Sequence, residues 1–110
     1  MDKVTLEKMA TNAFDNAKVQ RTQLFSATEV CLAKKLMLDQ DEASALASVK
    51  FDGKNAETRK AQAREFFDAQ YMEIAALENN ERSARHHYDL AMFDVDTVKV
   101  LLRIAELPVE

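Results

Sequence analysis

The fold is decided by residues 63–105, which read AREFFDAQYMEIAALENNERSARHHYDLAMFDVDTVKVLLRIA. Steps of four and three residues in alternation, begun at Ala63, reach thirteen positions, and eleven of them are apolar. These positions, called the second seam, are Ala63, Phe67, Gln70, Ile74, Leu77, Glu81, Ala84, Tyr88, Ala91, Val95, Val98, Leu102 and Ala105. An apolar repeat of 3.5 residues sustained over six heptads is typical of a helix that packs along another helix.

The composition favours long helices and few turns. The chain has 110 residues with one Gly and one Pro, the residues that most often interrupt helices. This length predicts a single domain over residues 1–110. The net charge of −4 argues against a protein that coats nucleic acid through bulk charge. A single cysteine, the lack of a signal-peptide core and the lack of a long apolar run predict a cytoplasmic protein without a membrane partner.

The best turn surrounds the only glycine, Gly53. We expect Gly53 to adopt the left-handed conformation that closes a helix, and Asn55 to cap the next helix. The predicted elements are a helix over about residues 3–50, a turn at 51–55 and a helix over about 56–106, stopped by Pro108. Asp39 with Glu42 has the form of a capping box, which would start a separate short helix over residues 41–50. We favour a continuous or merely kinked first helix, because no Gly or Pro enforces a break there.

The first half carries a seam of its own with the same spacing. These positions, the first seam, are Leu6, Ala10, Ala13, Ala17, Gln20, Leu24, Ala27, Cys31, Lys34 and Leu38. An antiparallel hairpin folded at Gly53 pairs the two seams, for example Leu38 with Phe67, and places Lys34 and Gln70 in one polar layer. The predicted fold is therefore all-α: a long, coiled-coil-like antiparallel helical hairpin.

Many large apolar residues lie off both seams, and a lone hairpin would leave them in water. Apolar exposure on that scale usually marks an interface, so we expect a homodimer with a four-helix bundle as its core. The residues predicted to mediate self-association are Phe14, Phe25, Leu32, Leu36, Leu90, Phe93, Leu101 and Ile104.

A basic cluster is predicted at the tip of the hairpin. It contains Lys50 together with the four candidate contact residues Lys54, Arg59, Lys60 and Arg64. Such a tip could meet phosphates or an acidic protein surface. An accessory nucleic-acid-binding protein is therefore the alternative function, although interleaved aromatic residues and a known binding module are absent from the sequence.

The densest polar cluster offers little chemistry. His86 and Asp89 have the i, i+3 spacing that metal ligands on a helix need, but the Glu-x-x-His element of di-iron bundles is absent, and a solvated helix face is the simpler interpretation. His86 and His87 could still sense pH within an interface. No phosphate loop, nucleophile elbow or catalytic triad can be assembled. We therefore expect no enzyme activity, no cofactor and no metal.

Residues 53–62, GKNAETRKAQ, resemble a recurrent turn in small uncharacterised helical-hairpin proteins of bacteriophages and prophages. In that group an N-terminal helix leads through a Gly-Lys-Asn turn into a long charged helix. Such proteins are often encoded near phage replication and recombination genes. The resemblance implies a cytoplasmic accessory or adaptor protein and assigns no catalytic residue. We expect a non-enzymatic protein-interaction module with an unknown protein partner.

Overall fold

The computed structural model describes residues 2–48 and 51–107, and these residues contain helices and no strand. The helices are α1 (Lys3–Ala47), α2 (Ala56–Phe66) and α3 (Asp68–Ala105). The prediction of an all-α fold is confirmed. The single long hairpin over the whole chain and its dimeric bundle stay predictions.

Helix α1 begins at a side-chain cap and continues without interruption. The backbone N–H of Thr5 donates to Oδ1 of Asp2 at 2.7 Å, which lowers the pKa of the Asp2 carboxyl below its ordinary value. The helix passes through Asp39 and Glu42 as far as Ala47, so the capping-box pattern there does not start a new helix. Val49 and Lys50 lie outside the described residues.

Asn55 caps α2 as predicted. It has an extended backbone, and its Oδ1 accepts from the backbone N–H of Thr58 at 2.8 Å. Glu57 adds a negative charge in the first turn, where the helix dipole favours it. The expected left-handed conformation of Gly53 is wrong, because its φ lies outside that region. Glycine is needed instead for space, since a Cβ at this position would lie 2.9 Å from the backbone nitrogen of Arg59 and 2.9 Å from Cγ2 of Thr58.

The structure differs from the prediction of one unbroken second helix. Phe67 leaves the helical conformation, with φ −96° and ψ 19°, and separates α2 from α3. Its N–H still donates to the carbonyl of Ala63 at 2.9 Å, and its own carbonyl accepts from Tyr71 at 3.0 Å. Few backbone hydrogen bonds are therefore lost at the break, and the apolar repeat passes through it. Helix α3 ends at Ala105; Pro108, the predicted stop, lies outside the described residues.

The chain divides into two compact units. The first, here the terminal unit, consists of residues up to Ser26 and from Arg82 onward. The second, the central unit, is Ala27–Glu81. The single domain over residues 1–110 stays a prediction.

The terminal unit pairs the start of α1 with the C-terminal half of α3. Ala17, Ala91 and Val95 form a buried cluster, with Ala13 and Met92 packed against it. The remaining buried residues of this unit are Leu6, Ala10 and Val98. All of the buried positions belong to the two predicted seams, and the alanines among them allow the two helices to approach closely.

The central unit has the larger apolar cluster. Its buried members are Leu38, Ala45, Phe51, Ala63, Phe67 and Ile74, and Leu46 and Tyr71 pack against them. Leu38 and Phe67, a pair predicted from the hairpin register, share this cluster. Cys31 is 1% exposed, as expected for a small buried hydrophobic residue. The described residues bury no polar or charged side chain, so both cores are purely apolar.

Candidate interaction surfaces

The outer side of α3 in the terminal unit carries a row of large apolar side chains. Each follows a second-seam residue by two positions, which is about 200° around the helix, so the row faces away from the buried side. We call this row, together with the threonine in its middle, the α3 outer stripe. Its members on the helix are Leu90, Phe93, Thr97, Val100 and Ile104, and Leu107, two residues beyond the end of α3, continues the same spacing. Phe93 is the most exposed of them at 69%, and the other four apolar members are all more than half exposed.

Helix α1 also exposes apolar side chains. In the terminal unit Phe25 is 67% exposed and Phe14 39%. In the central unit Leu32 and Leu36 are 59% and 57% exposed. Phe14 and Phe25 are eleven positions apart and Leu32 and Leu36 are four apart, so each pair lies on one side of the helix within its own unit.

Seven of the eight residues predicted to mediate self-association are thus exposed in the chain. The exception is Leu101, which is half-buried. It precedes the seam residue Leu102 and therefore lies at the edge of the packed face of α3 rather than on its outer side. The interface itself stays a prediction.

Two of the four predicted contact residues at the basic tip are engaged within the central unit. Arg59 donates through Nη1 to the carbonyl of Gly53 at 3.3 Å, and the Arg64 guanidinium lies 3.7 Å from the centre of the Tyr71 ring. Lys54 and Lys60 are exposed. The structure therefore offers two exposed lysines, rather than four convergent cations, to an anionic partner. Lys50, the fifth member of the predicted cluster, lies outside the described residues.

The loop before α2 is held by side-chain amide and backbone contacts. The backbone N–H of Gly53 donates to Oε1 of Gln62 at 2.9 Å, while Nε2 of Gln62 donates to Oδ1 of Asp52 at 2.9 Å. Both functional atoms of this glutamine are used, which fixes the loop against the first turns of α2. No sequence pattern indicated this contact, because Gln62 is one of several polar residues on a charged helix.

Three phenylalanines surround the junction of α2 and α3. Phe66 makes edge-to-face contacts with Phe51, at 5.7 Å between ring centres, and with Phe67, at 5.0 Å. Phe51 and Phe67 are buried, whereas Phe66 is 54% exposed. Phe51, Gln62 and Phe66 line a shallow groove of about 450 Å³ with the carboxylates of Asp52 and Glu65 at its rim. Such an open groove has the shape of a contact surface rather than of an enclosed ligand site.

Polar contacts between α1 and α3 lie on the surface of the central unit. The Tyr71 hydroxyl donates to Oε1 of Glu42, and this hydrogen bond, followed by desolvation, raises the pKa of Tyr71 above its ordinary value. Lys34 pairs with Glu73 at 3.3 Å. Gln70, which was predicted to share a polar layer with Lys34, is exposed and lines one small groove together with Lys34 and Glu73. Lys34 therefore has a carboxylate on the neighbouring turn as its ion-pair partner.

The histidine cluster is exposed. The rings of His86 and His87 have centres 6.1 Å apart and are tilted by 51°, and Asp89 is exposed on the same helix. Within residues 2–48 and 51–107, no three His, Cys, Asp or Glu side chains are grouped so that they could hold a metal ion. Over the same ranges, no helix has both the length and the apolar character that crossing a membrane requires.

The chain was compared with protein-family models, with curated proteins and with solved structures, and none of them matches it. Function is therefore inferred from the surfaces described above.

Proposed function

We propose that this protein is a non-enzymatic helical protein-interaction module that self-associates through the exposed apolar sides of α1 and α3. The observation that carries the proposal is the number of large apolar side chains outside the cores. Among the residues that the structure describes, fifteen of them are exposed, including Phe25, Phe93 and Ile104. Exposure of many large apolar side chains is typical of surfaces that bind another protein.

The distribution of these residues supports a helical partner. On α3 they recur at helical spacing from Leu90 to Ile104, and α1 exposes several more, including Phe14 and Phe25 in the terminal unit. A second pair of helices would cover such rows side by side, as in a four-helix bundle. Complete burial of one large apolar side chain stabilises an association by about 1.5–3 kcal/mol. Several such side chains together can outweigh the entropy lost when two chains associate.

An accessory or adaptor role in a bacteriophage or prophage completes the proposal. It is supported by the resemblance of the Gly53–Asn55 turn to the turn of the phage group. In this role the self-associated module presents its remaining surfaces to a protein partner. The junction of α2 and α3, with half-exposed Phe66 beside the carboxylates of Asp52 and Glu65, is a suitable surface in the central unit.

Sedimentation equilibrium of the intact chain at several concentrations tests self-association. We expect a mass above that of the 12.5 kDa chain at micromolar concentration. The variants Phe25→Asp and Phe93→Asp should shift the mass toward that of the monomer, because each places a charge on an apolar contact surface. Gln23→Asp, at an exposed polar position of α1, is the matched control and should leave the mass unchanged. A folded 12.5 kDa species at every concentration would overturn the proposal.

A further inference from the structure

The α3 outer stripe is a second heptad repeat within the terminal unit. Its six positions are separated by three, four, three, four and three residues, which is the a/d spacing of a coiled coil. In this repeat Leu90, Thr97 and Ile104 occupy a positions, and Phe93, Val100 and Leu107 occupy d positions. The helix thus carries one seam that is buried within the chain and a second seam that is exposed to solvent.

We propose that the α3 outer stripe pairs with the same stripe of a second copy of this chain, and that the two helices run antiparallel. This proposal rests on the self-association proposed above and specifies its geometry. It specifies how the α3 helices of the two copies meet, the register of that contact and the charged residues that set its direction.

The register follows from the antiparallel arrangement, in which a positions face d positions. Along the helices, Phe93 then faces the partner's Ile104, and Thr97 faces the partner's Val100. Leu90 lies at the end of the contact, beside the partner's Leu107, which follows the end of α3 by two residues. Each contact occurs twice because the pair is symmetric. All six positions of the stripe are used in this register. A shift by one heptad in either direction would leave two of the six positions of each copy unpaired.

The flanking charges favour the antiparallel direction. Asp96 and Arg103 both precede an a position and are exposed. In the antiparallel register these flanking positions of the two copies meet, so that Asp96 lies beside the partner's Arg103, and Arg103 beside the partner's Asp96. Opposite charges at such positions are known to set partner orientation in coiled coils.

The parallel direction has two defects in the same stripe. It would place Asp89 beside the partner's Asp94, a pair of like charges repeated twice by symmetry. It would also place Thr97 opposite the partner's Thr97 in the middle of the apolar contact. The antiparallel pair avoids both, since Thr97 faces a valine and its hydroxyl already donates to the carbonyl of Phe93 at 3.0 Å.

Charge exchange between the two flanking residues tests the pairing. Asp96→Arg alone and Arg103→Asp alone each place like charges together twice, and each should weaken the dimer at least about tenfold. An equimolar mixture of these two variants should associate about as tightly as the parent, because each copy then supplies the opposite charge. Lys99→Asp, on another side of α3, is the matched control and should change the dissociation constant little. Circular dichroism of every variant checks that the helices remain folded.

Spin labels give the direction independently. In the antiparallel pair, the two labels at Lys99→Cys lie near the centre and are separated along the helix axis by only about 1.5 Å. The two labels at Ser83→Cys would be about 46 Å apart along the axis. Cys31 is 1% exposed and should not react with the label. A parallel pair would bring both labels close together.

The outcomes separate this proposal from the proposed function. A monomer at all concentrations would overturn both. A dimer that ignores the charge exchange, or that gives short distances at both labels, would overturn the antiparallel stripe and leave self-association intact. Binding of the stripe to a different protein in place of a second copy would also overturn it.

Discussion

The hydroxyl of Tyr71 donates a hydrogen bond to the carboxylate of Glu42 and so joins α3 to α1 in the central unit. The two residues are 29 positions apart in the sequence. The Arg64 guanidinium covers the Tyr71 ring on its face, at 3.7 Å. A tyrosine thus connects three helical segments, with a hydrogen bond at its polar end and a cation on its ring.

This hydrogen bond should make the stability of the protein fall at alkaline pH. Because the pKa of Tyr71 is raised in the folded state, the folded protein keeps the phenolic proton after the unfolded chain has lost it. The stabilisation is fully present below the unfolded tyrosine pKa of about 10 and is lost as pH rises toward the folded value. Tyr71→Phe should remove this loss. Urea unfolding of parent and variant between pH 8 and 11, in steps of about half a unit, measures it.

At neutral pH the same substitution should cost up to about 1 kcal/mol, since the hydrogen bond is only partly buried. Tyr88→Phe removes the same hydroxyl from a half-buried tyrosine of the terminal unit and is the matched control. An equal alkaline loss of stability in the parent and in Tyr71→Phe would show that the bond to Glu42 does not contribute.

Adjacent phenylalanines at the end of α2 should respond very differently to truncation. Phe67 is 7% exposed inside the central apolar cluster, so Phe67→Ala should lower the free energy of unfolding by about 3–5 kcal/mol through lost burial and a cavity. Phe66 is 54% exposed, so Phe66→Ala should cost less than about 2 kcal/mol. Urea denaturation followed by circular dichroism measures both. Equal losses would mean that the exposed ring of Phe66 is as important to the core as that of Phe67.

The buried sides of the helices were predictable because burial follows a periodic apolar pattern. The buried residues of α1, such as Leu6, Ala17 and Leu38, all fall on the first seam or continue it at Ala45. The cap at Asn55 was predictable as well, since its side chain acts on the backbone three residues away. Three members of the α3 outer stripe, Leu90, Phe93 and Ile104, were predicted to mediate self-association, whereas its other members were not.

Other features depend on contacts that no local pattern encodes. The break at Phe67 occurs at a seam position, so the repeat gives no sign that the backbone departs from helical geometry there. The role of Gly53 depends on how closely its loop approaches Thr58 and Arg59. The ion-pair partner of Lys34, Glu73, lies off the second seam, because a long side chain can reach a carboxylate on the neighbouring turn.

The space around Gly53 gives a test of the loop. In Gly53→Ala the new methyl group would lie 2.9 Å from the backbone nitrogen of Arg59, so the first turn of α2 would have to shift. We expect a loss of about 1–3 kcal/mol in the free energy of unfolding, as for an overpacked site. Lys54→Ala, at the exposed neighbouring residue, is the control and should stay within about 0.5 kcal/mol of the parent. Unchanged or increased stability of Gly53→Ala would mean that the loop yields easily.

The basic tip should not bind nucleic acid measurably. Arg59 and Arg64 are engaged with Gly53 and Tyr71, and the two exposed lysines belong to a chain of net charge −4. Fluorescence anisotropy with labelled duplex DNA and single-stranded RNA at low salt measures this directly, and we expect no change up to high micromolar protein. Binding that weakens with salt would contradict the expectation. If it occurred through the tip, Lys54→Gln with Lys60→Gln should reduce the log–log salt slope by roughly 1.8, since each phosphate contact on duplex DNA contributes about 0.9.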